Sequence, residues 1–221
     1  MRGSITWTLV LALGVAAPAI AQERPWTGHI MGGTSIPVGG TDDYLGGAFS
    51  WGFGAMYSPK EAVWGIRLDV IHSRFNIDNQ AVIDFFDGTD GHARTWDLAL
   101  DGEVGTTKSK PLRVYALAGG GAVNRYAAVT EPAIVSGCYW DPWWGYICGS
   151  APGEQIKADR STWNFGVKFG GGLSYQIRRG PALFVEAAYN IVFSSSGDNR
   201  PADAPEPINT TWVPIFFGFR F

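Results

Sequence analysis

The last ten residues, Trp212-Val213-Pro214-Ile215-Phe216-Phe217-Gly218-Phe219-Arg220-Phe221, decide how the chain is read. Successive side chains of an extended strand point to opposite faces. Val213, Ile215, Phe217, Phe219 and Phe221 therefore share one face, and every one is apolar. Trp212, Pro214, Phe216, Gly218 and Arg220 share the other. The stretch from Trp163 to Ile177 repeats the pattern. Trp163, Phe165, Val167, Phe169, Gly171, Leu173, Tyr175 and Ile177 alternate with Asn164, Gly166, Lys168, Gly170, Gly172, Ser174 and Gln176. A soluble sandwich strand alternates too. This run, however, is long for a globular strand and fits a tilted strand crossing a membrane. Its apolar face carries aromatics at both ends, where interfacial girdles belong.

Working back along the chain, further stretches alternate. Leu183, Val185, Ala187, Tyr189, Ile191 and Phe193 face away from Phe184, Glu186, Ala188 and Asn190. Trp96, Leu98, Leu100, Gly102 and Val104 face away from Thr95, Asp97, Ala99, Asp101 and Glu103. Trp64, Ile66, Leu68 and Val70 oppose Gly65, Arg67, Asp69 and Ile71. Phe49, Trp51, Phe53, Ala55 and Tyr57 alternate with small residues and Met56. Residues 112–127 form a strand whose facing stays open, because both faces are apolar or glycine. A first strand, about Trp26 to Ile36, is placed by counting.

The connections sort into two kinds. Short turns are expected at Ser58-Pro59-Lys60-Glu61, at Thr106 to Pro111 and at Arg178-Arg179-Gly180-Pro181. Long loops are expected at about 37–46, 75–93, 128–160 and 194–210. Short and long alternate strictly. Outer-membrane barrels have short periplasmic turns and long extracellular loops. The fold expected is all-β: an eight-stranded antiparallel up-and-down transmembrane barrel with both termini periplasmic.

Composition agrees. Aromatics make up 14% and charged residues 17% of the chain, and the formal net charge of -3 carries no basic stripe for nucleic acid. After the first residues no apolar run is long enough for a membrane helix, which leaves a closed barrel as the way to span lipid. Residues 1–21 read as a cleaved signal peptide: Arg2, the apolar run Ile5 to Ala17, then Ala19-Ile20-Ala21 as the cleavage site. Residues 22–221 form the barrel domain. Cys138 and Cys148 read as a disulfide closing a short loop in an exported protein. No zinc or other metal ligand set and no cofactor motif is present in the sequence.

With Phe217-Gly218-Phe219-Arg220-Phe221 at its end and alternating strands before it, the mature chain resembles the small outer-membrane β-barrels represented by the membrane domain of outer-membrane protein A. The resemblance implies that Phe217, Phe219 and Phe221 are part of the signal read by the barrel-assembly machinery. It says little about activity, because one fold hosts many functions. Lipid A deacylases on this fold use an outward His and Ser two residues apart; His72 and Ser73 are adjacent, which breaks that pattern. A non-enzymatic reading follows.

With the apolar faces toward lipid, Arg67, Asp69, Asp97, Asp101, Glu103, Lys168 and Glu186 point into the lumen. An eight-stranded barrel is filled by its side chains. Lys168 and Arg67 are expected to pair with the acids, with Arg113, Arg125 or water supplying the balance. Gly119-Gly120-Gly121 and Gly170-Gly171-Gly172 read as strand glycines marking close approach of bulky neighbours. The third long loop packs Tyr139, Trp140, Trp143, Trp144 and Tyr146 between the two cysteines. Such rings suit a contact site for lipopolysaccharide sugars or a surface or envelope partner protein. They equally suit folding down over the barrel mouth or resting at the lipid interface. The functional expectation is a structural or surface-interaction barrel in outer-membrane lipid. The rivals are a narrow pore for small solutes, a lipid-modifying enzyme and a soluble lipocalin-like binder.

Overall fold

A computed structural model describes residues 25–59, 62–78, 90–106, 111–141, 143, 145–177, 180–194 and 209–221. The signal-peptide reading, residues 1–21, lies outside them. The strands are β1 (Trp26–Pro37), β2 (Leu45–Tyr57), β3 (Trp64–Ile77), β4 (Asp90–Gly105), β5 (Leu112–Asp141), β6 (Gly145–Gln176), β7 (Ala182–Val192) and β8 (Thr210–Arg220). Each pairs antiparallel with the next, and β1 pairs with β8, so the sheet closes into an eight-stranded barrel. At this seam Gly28 and Phe221 exchange both backbone hydrogen bonds, at 2.8 and 2.9 Å. The seam is narrow. A Cβ on Gly33 would overlap the Ile215 carbonyl oxygen, so no other residue fits there without a shift of backbone.

Alternation decides the facing of each strand. Phe217, Phe219 and Phe221 are exposed on the outside, while Phe216, Arg220 and Trp212 are buried. Trp163, Phe165, Phe169, Leu173 and Tyr175 project outward from β6, and Asn164, Lys168 and Ser174 inward. β5, whose facing the sequence left open, turns Leu112 and Val114 out and Arg113, Tyr115 and Leu117 in. The outer wall is thus apolar and the inner wall largely polar, the reverse of a lipocalin-like binder.

Two aromatic girdles bound the apolar band. One gathers Trp26, Tyr57 and Trp64 near the seam end, with Trp26 packed on Tyr57 at 5.0 Å. The other runs through Trp51, His72 and Trp96, whose rings are in mutual contact, to Asn124 and Trp163 in one continuous cross-strand register. Tyr175 and Trp163 mark the two edges on β6. With strand rise and tilt their separation along the barrel axis is about 30 Å, enough for the hydrocarbon layer.

One expected connection is corrected. Residues 128–160 are not a long loop: β5 and β6 run 30 and 32 residues, and 142–144 joins them. Beyond Thr130↔Asp90 on β4 and the Phe165–Phe193 contact past β7, the two strands pair only with each other among the described residues. They leave the barrel as a two-stranded ribbon. Among the described residues of this ribbon both faces carry exposed positions, so no hydrophobic alternation marks them as strand.

Candidate functional site

The lumen is assembled from alternate, inward-facing positions on each strand. β3 contributes Arg67 and Asp69, β4 contributes Asp97, Asp101 and Glu103, β6 contributes Lys168, and β7 contributes Glu186; all seven are buried. β1 adds His29, β5 adds Arg113 and Tyr115, and β8 adds Arg220. Five carboxylates thus face four permanent cations and one histidine.

Arg67 is the hub. Its Nη1 and Nη2 donate to the two oxygens of Glu186 at 2.6 and 2.7 Å, and its Nε donates to Asp69 Oδ2 at 2.8 Å. A planar guanidinium makes such a fork where an ammonium cannot. Asp69 also receives Lys168 Nζ at 3.0 Å and lies 2.8 Å from His29 Nε2. Lys168 forms a second ion pair with Asp101. Tyr115 donates its hydroxyl to Glu186 at 2.9 Å. Nearer the seam end, Arg220 spans both oxygens of Glu103 at 3.0 and 3.2 Å, and Arg113 binds the same carboxylate. The Arg220 guanidinium is sandwiched against Phe184 and Tyr115, 5.3 Å from each ring.

Glycine makes room for this network. A Cβ at Gly119 would overlap Asp101 Oδ1, and one at Gly172 would lie 2.6 Å from the Tyr115 hydroxyl. The glycine runs on β5 and β6 are therefore where acid and phenol enter the lumen.

Above the charges the filling turns apolar. Trp212 and Phe75, each 1% exposed, meet edge to face at 6.0 Å among Ala48, Ala93, Val123 and Val192. A cavity of about 20 Å³ lies against Asp97, Lys168, Asn190 and Trp212, the volume of a single water. A serine ladder crosses β1, β2 and β3 at a similar level: Ser35 to Ser50 and Ser50 to Ser73, each 2.7 Å.

The sequence missed some of these members. His29 was unreadable because β1 was located by counting, so its inward parity was not fixed. Arg220 stood on the inward face of the terminal strand and could have been counted. Tyr115 fell in the strand of undecided facing. Of the two arginines held in reserve, Arg113 binds Glu103, whereas Arg125 sits at the mouth and donates to Asn164 at 2.8 Å, Ser194 and Thr210.

At the far end of the ribbon Cys138 and Cys148 are direct cross-strand partners joined by a disulfide. Trp140, Trp143 and Tyr146 are exposed by 61, 88 and 77%, so they do not fold over the mouth. Trp144 and the Tyr139 side chain lie outside the described residues. Among the described residues no cluster of His, Cys, Asp or Glu is arranged to hold a metal ion. On β3, His72 faces outward and Ser73 inward.

No protein-family model matches the chain, and neither does any curated protein sequence. Solved structures do. Neisserial surface protein A is 13% identical over 89% of this chain and 96% of its own, with a TM-score of 0.50. A major outer membrane protein from Thermus thermophilus is 12% identical over 88% of this chain and 99% of its own, again with a TM-score of 0.50. At such identities the likeness is one of fold, and the fold is that of the eight-stranded outer-membrane barrels.

Proposed function

We propose that the protein is an integral outer-membrane barrel with both chain ends on the periplasmic side, a sealed lumen, and an interaction surface at the tip of the β5–β6 ribbon. One observation carries this reading. Trp140, Trp143 and Tyr146 stand exposed on a ribbon stapled by Cys138–Cys148, at the end of the barrel opposite the Gly28–Phe221 seam. Rigid aromatics held on a braced strand pair lose little entropy when they bind. With the seam at the periplasmic end, the tip reaches into the medium, where lipopolysaccharide sugars or a partner protein on a neighbouring surface would meet it. Phe217, Phe219 and Phe221, exposed on β8, serve the assembly machinery and then face lipid.

The lumen has a structural role in this reading. Arg67 with its carboxylates and Trp212 with Phe75 occupy the bore at successive levels. Reconstituted in a planar bilayer, the protein should pass no steady ionic current; discrete conductance steps would mean an open pore instead. The ribbon is tested by Trp140→Ala combined with Trp143→Ala. Binding to immobilised lipopolysaccharide, or to the partner recovered from intact outer membranes, should fall roughly tenfold or more, as for other aromatic anchors. Heat-modifiable migration on gels should stay unchanged. Undiminished binding would remove the ribbon tip from the function.

A further inference from the structure

The outer wall carries a second chemically distinct row. Directly beyond the Trp51–His72–Trp96–Asn124–Trp163 girdle, on the ribbon side, the next outward row reads Phe49, Arg74, Arg94, Tyr126 and Ser161, each paired with the next across β2 to β6. Arg74 and Arg94 are therefore direct cross-strand partners, and both are exposed. Side chains in that relation have Cβ atoms roughly 5 Å apart, where like charges repel. Among the described residues no carboxylate lies within ion-pair distance of either one. In the lumen, by contrast, Arg67, Arg113 and Arg220 each hold an acid.

The two cations are also presented. The Arg94 Cζ lies over the Tyr126 ring, 4.3 Å from its centroid, which holds the guanidinium at the barrel wall beside Arg74. Trp51 and Trp96 sit one row nearer the apolar band, and girdle tryptophans mark headgroup depth. A group that satisfies two opposed guanidinium forks at that depth has several anionic oxygens on one centre and an acyl body below it.

We infer that Arg74 and Arg94 form a binding site for the phosphate of an anionic lipid, seated on the barrel wall with its chains beside Trp51 and Trp96. The inference rests on the membrane-embedded reading above, and the experiment separates the two. The full mature chain is refolded into phosphatidylcholine vesicles containing a minority of phosphatidic acid, whose headgroup is a bare phosphate. It is then extracted in mild detergent, and the retained lipids are counted by native mass spectrometry. The wild type should retain phosphatidic acid over phosphatidylcholine by roughly tenfold, as two solvent-exposed charge pairs predict. Arg74→Gln with Arg94→Gln should bring the ratio to parity, while Lys157→Gln on the ribbon leaves it unchanged. A double variant that keeps the wild-type ratio overturns the site. So does inorganic phosphate binding the wild type as tightly as the lipid, since the ligand would then be a free anion. Heat-modifiable migration reports folding in every sample: a wild type that never folds into vesicles refutes the membrane reading, whereas a folded double variant that has lost the lipid supports the site.

Discussion

Tyr115 and Cys138 lie on the same continuous strand, β5, yet they are held by different means. Tyr115 is enclosed by neighbours on both sides of its strand and bonded to Glu186 over the intervening Gly172 of β6. Cys138 is exposed and has one neighbouring strand among the described residues, and a covalent bond to Cys148 takes the place of a packed interior. Inside the barrel, every side chain that is changed leaves a buried partner behind. On the ribbon, a changed side chain leaves solvent behind. The first region should respond globally to mutation and the second locally.

The largest effect should come from Arg67→Met. It leaves Glu186 with Tyr115 alone and removes one of the partners of Asp69 in a buried site, at a cost of roughly 3–5 kcal/mol. The urea midpoint of unfolding in detergent should fall accordingly and the whole barrel should lose heat-modifiability together. A change of less than about 1 kcal/mol would mean the network relaxes as freely as a surface, and the contrast with the ribbon would disappear.

Cys138→Ser with Cys148→Ser tests the other side. A short closed loop contributes about 2–3 kcal/mol, here confined to a hairpin that is marginal in water. Hydrogen exchange and protease cleavage between residues 131 and 156 should accelerate while barrel melting stays put. Melting that fell in step would show the two regions to be one cooperative unit.

The smallest effect should be Ser50→Ala, which removes the middle hydroxyl of the ladder between Ser35 and Ser73. It should cost about 1 kcal/mol and act globally, like Arg67→Met on a reduced scale. A purely local increase in exchange on β2 would place the ladder with the ribbon.

These same differences explain what the sequence could tell. Strands such as β4 and β6 within the barrel separate lipid from lumen, so their alternation from Trp96 to Val104 and from Trp163 to Tyr175 was plain. The inward charges followed from parity alone, without any knowledge of distance. Which acid meets which base did not follow, because pairing depends on register across strands: Arg67 bridges to Glu186, 119 positions away. The ribbon was read as loop for a physical reason. Among the described residues between 131 and 156, successive positions such as Gly137 and Cys138, or Cys148 and Gly149, are exposed on both faces, so nothing in the pattern of Ile134, Gly137 or Gly149 distinguishes strand from coil.

The Gly28–Phe221 seam sets an order in time. Seven of the eight strand pairings join neighbours along the chain and can form as hairpins, while the eighth waits for the two ends to meet. Until then β1 and β8 each present an unpaired edge in lipid, which the bilayer penalises heavily. Closure brings the Gly33 backbone against the Ile215 carbonyl, whose oxygen occupies the space a Cβ would need. A bulky substitution there would arrest an open sheet rather than loosen a finished barrel.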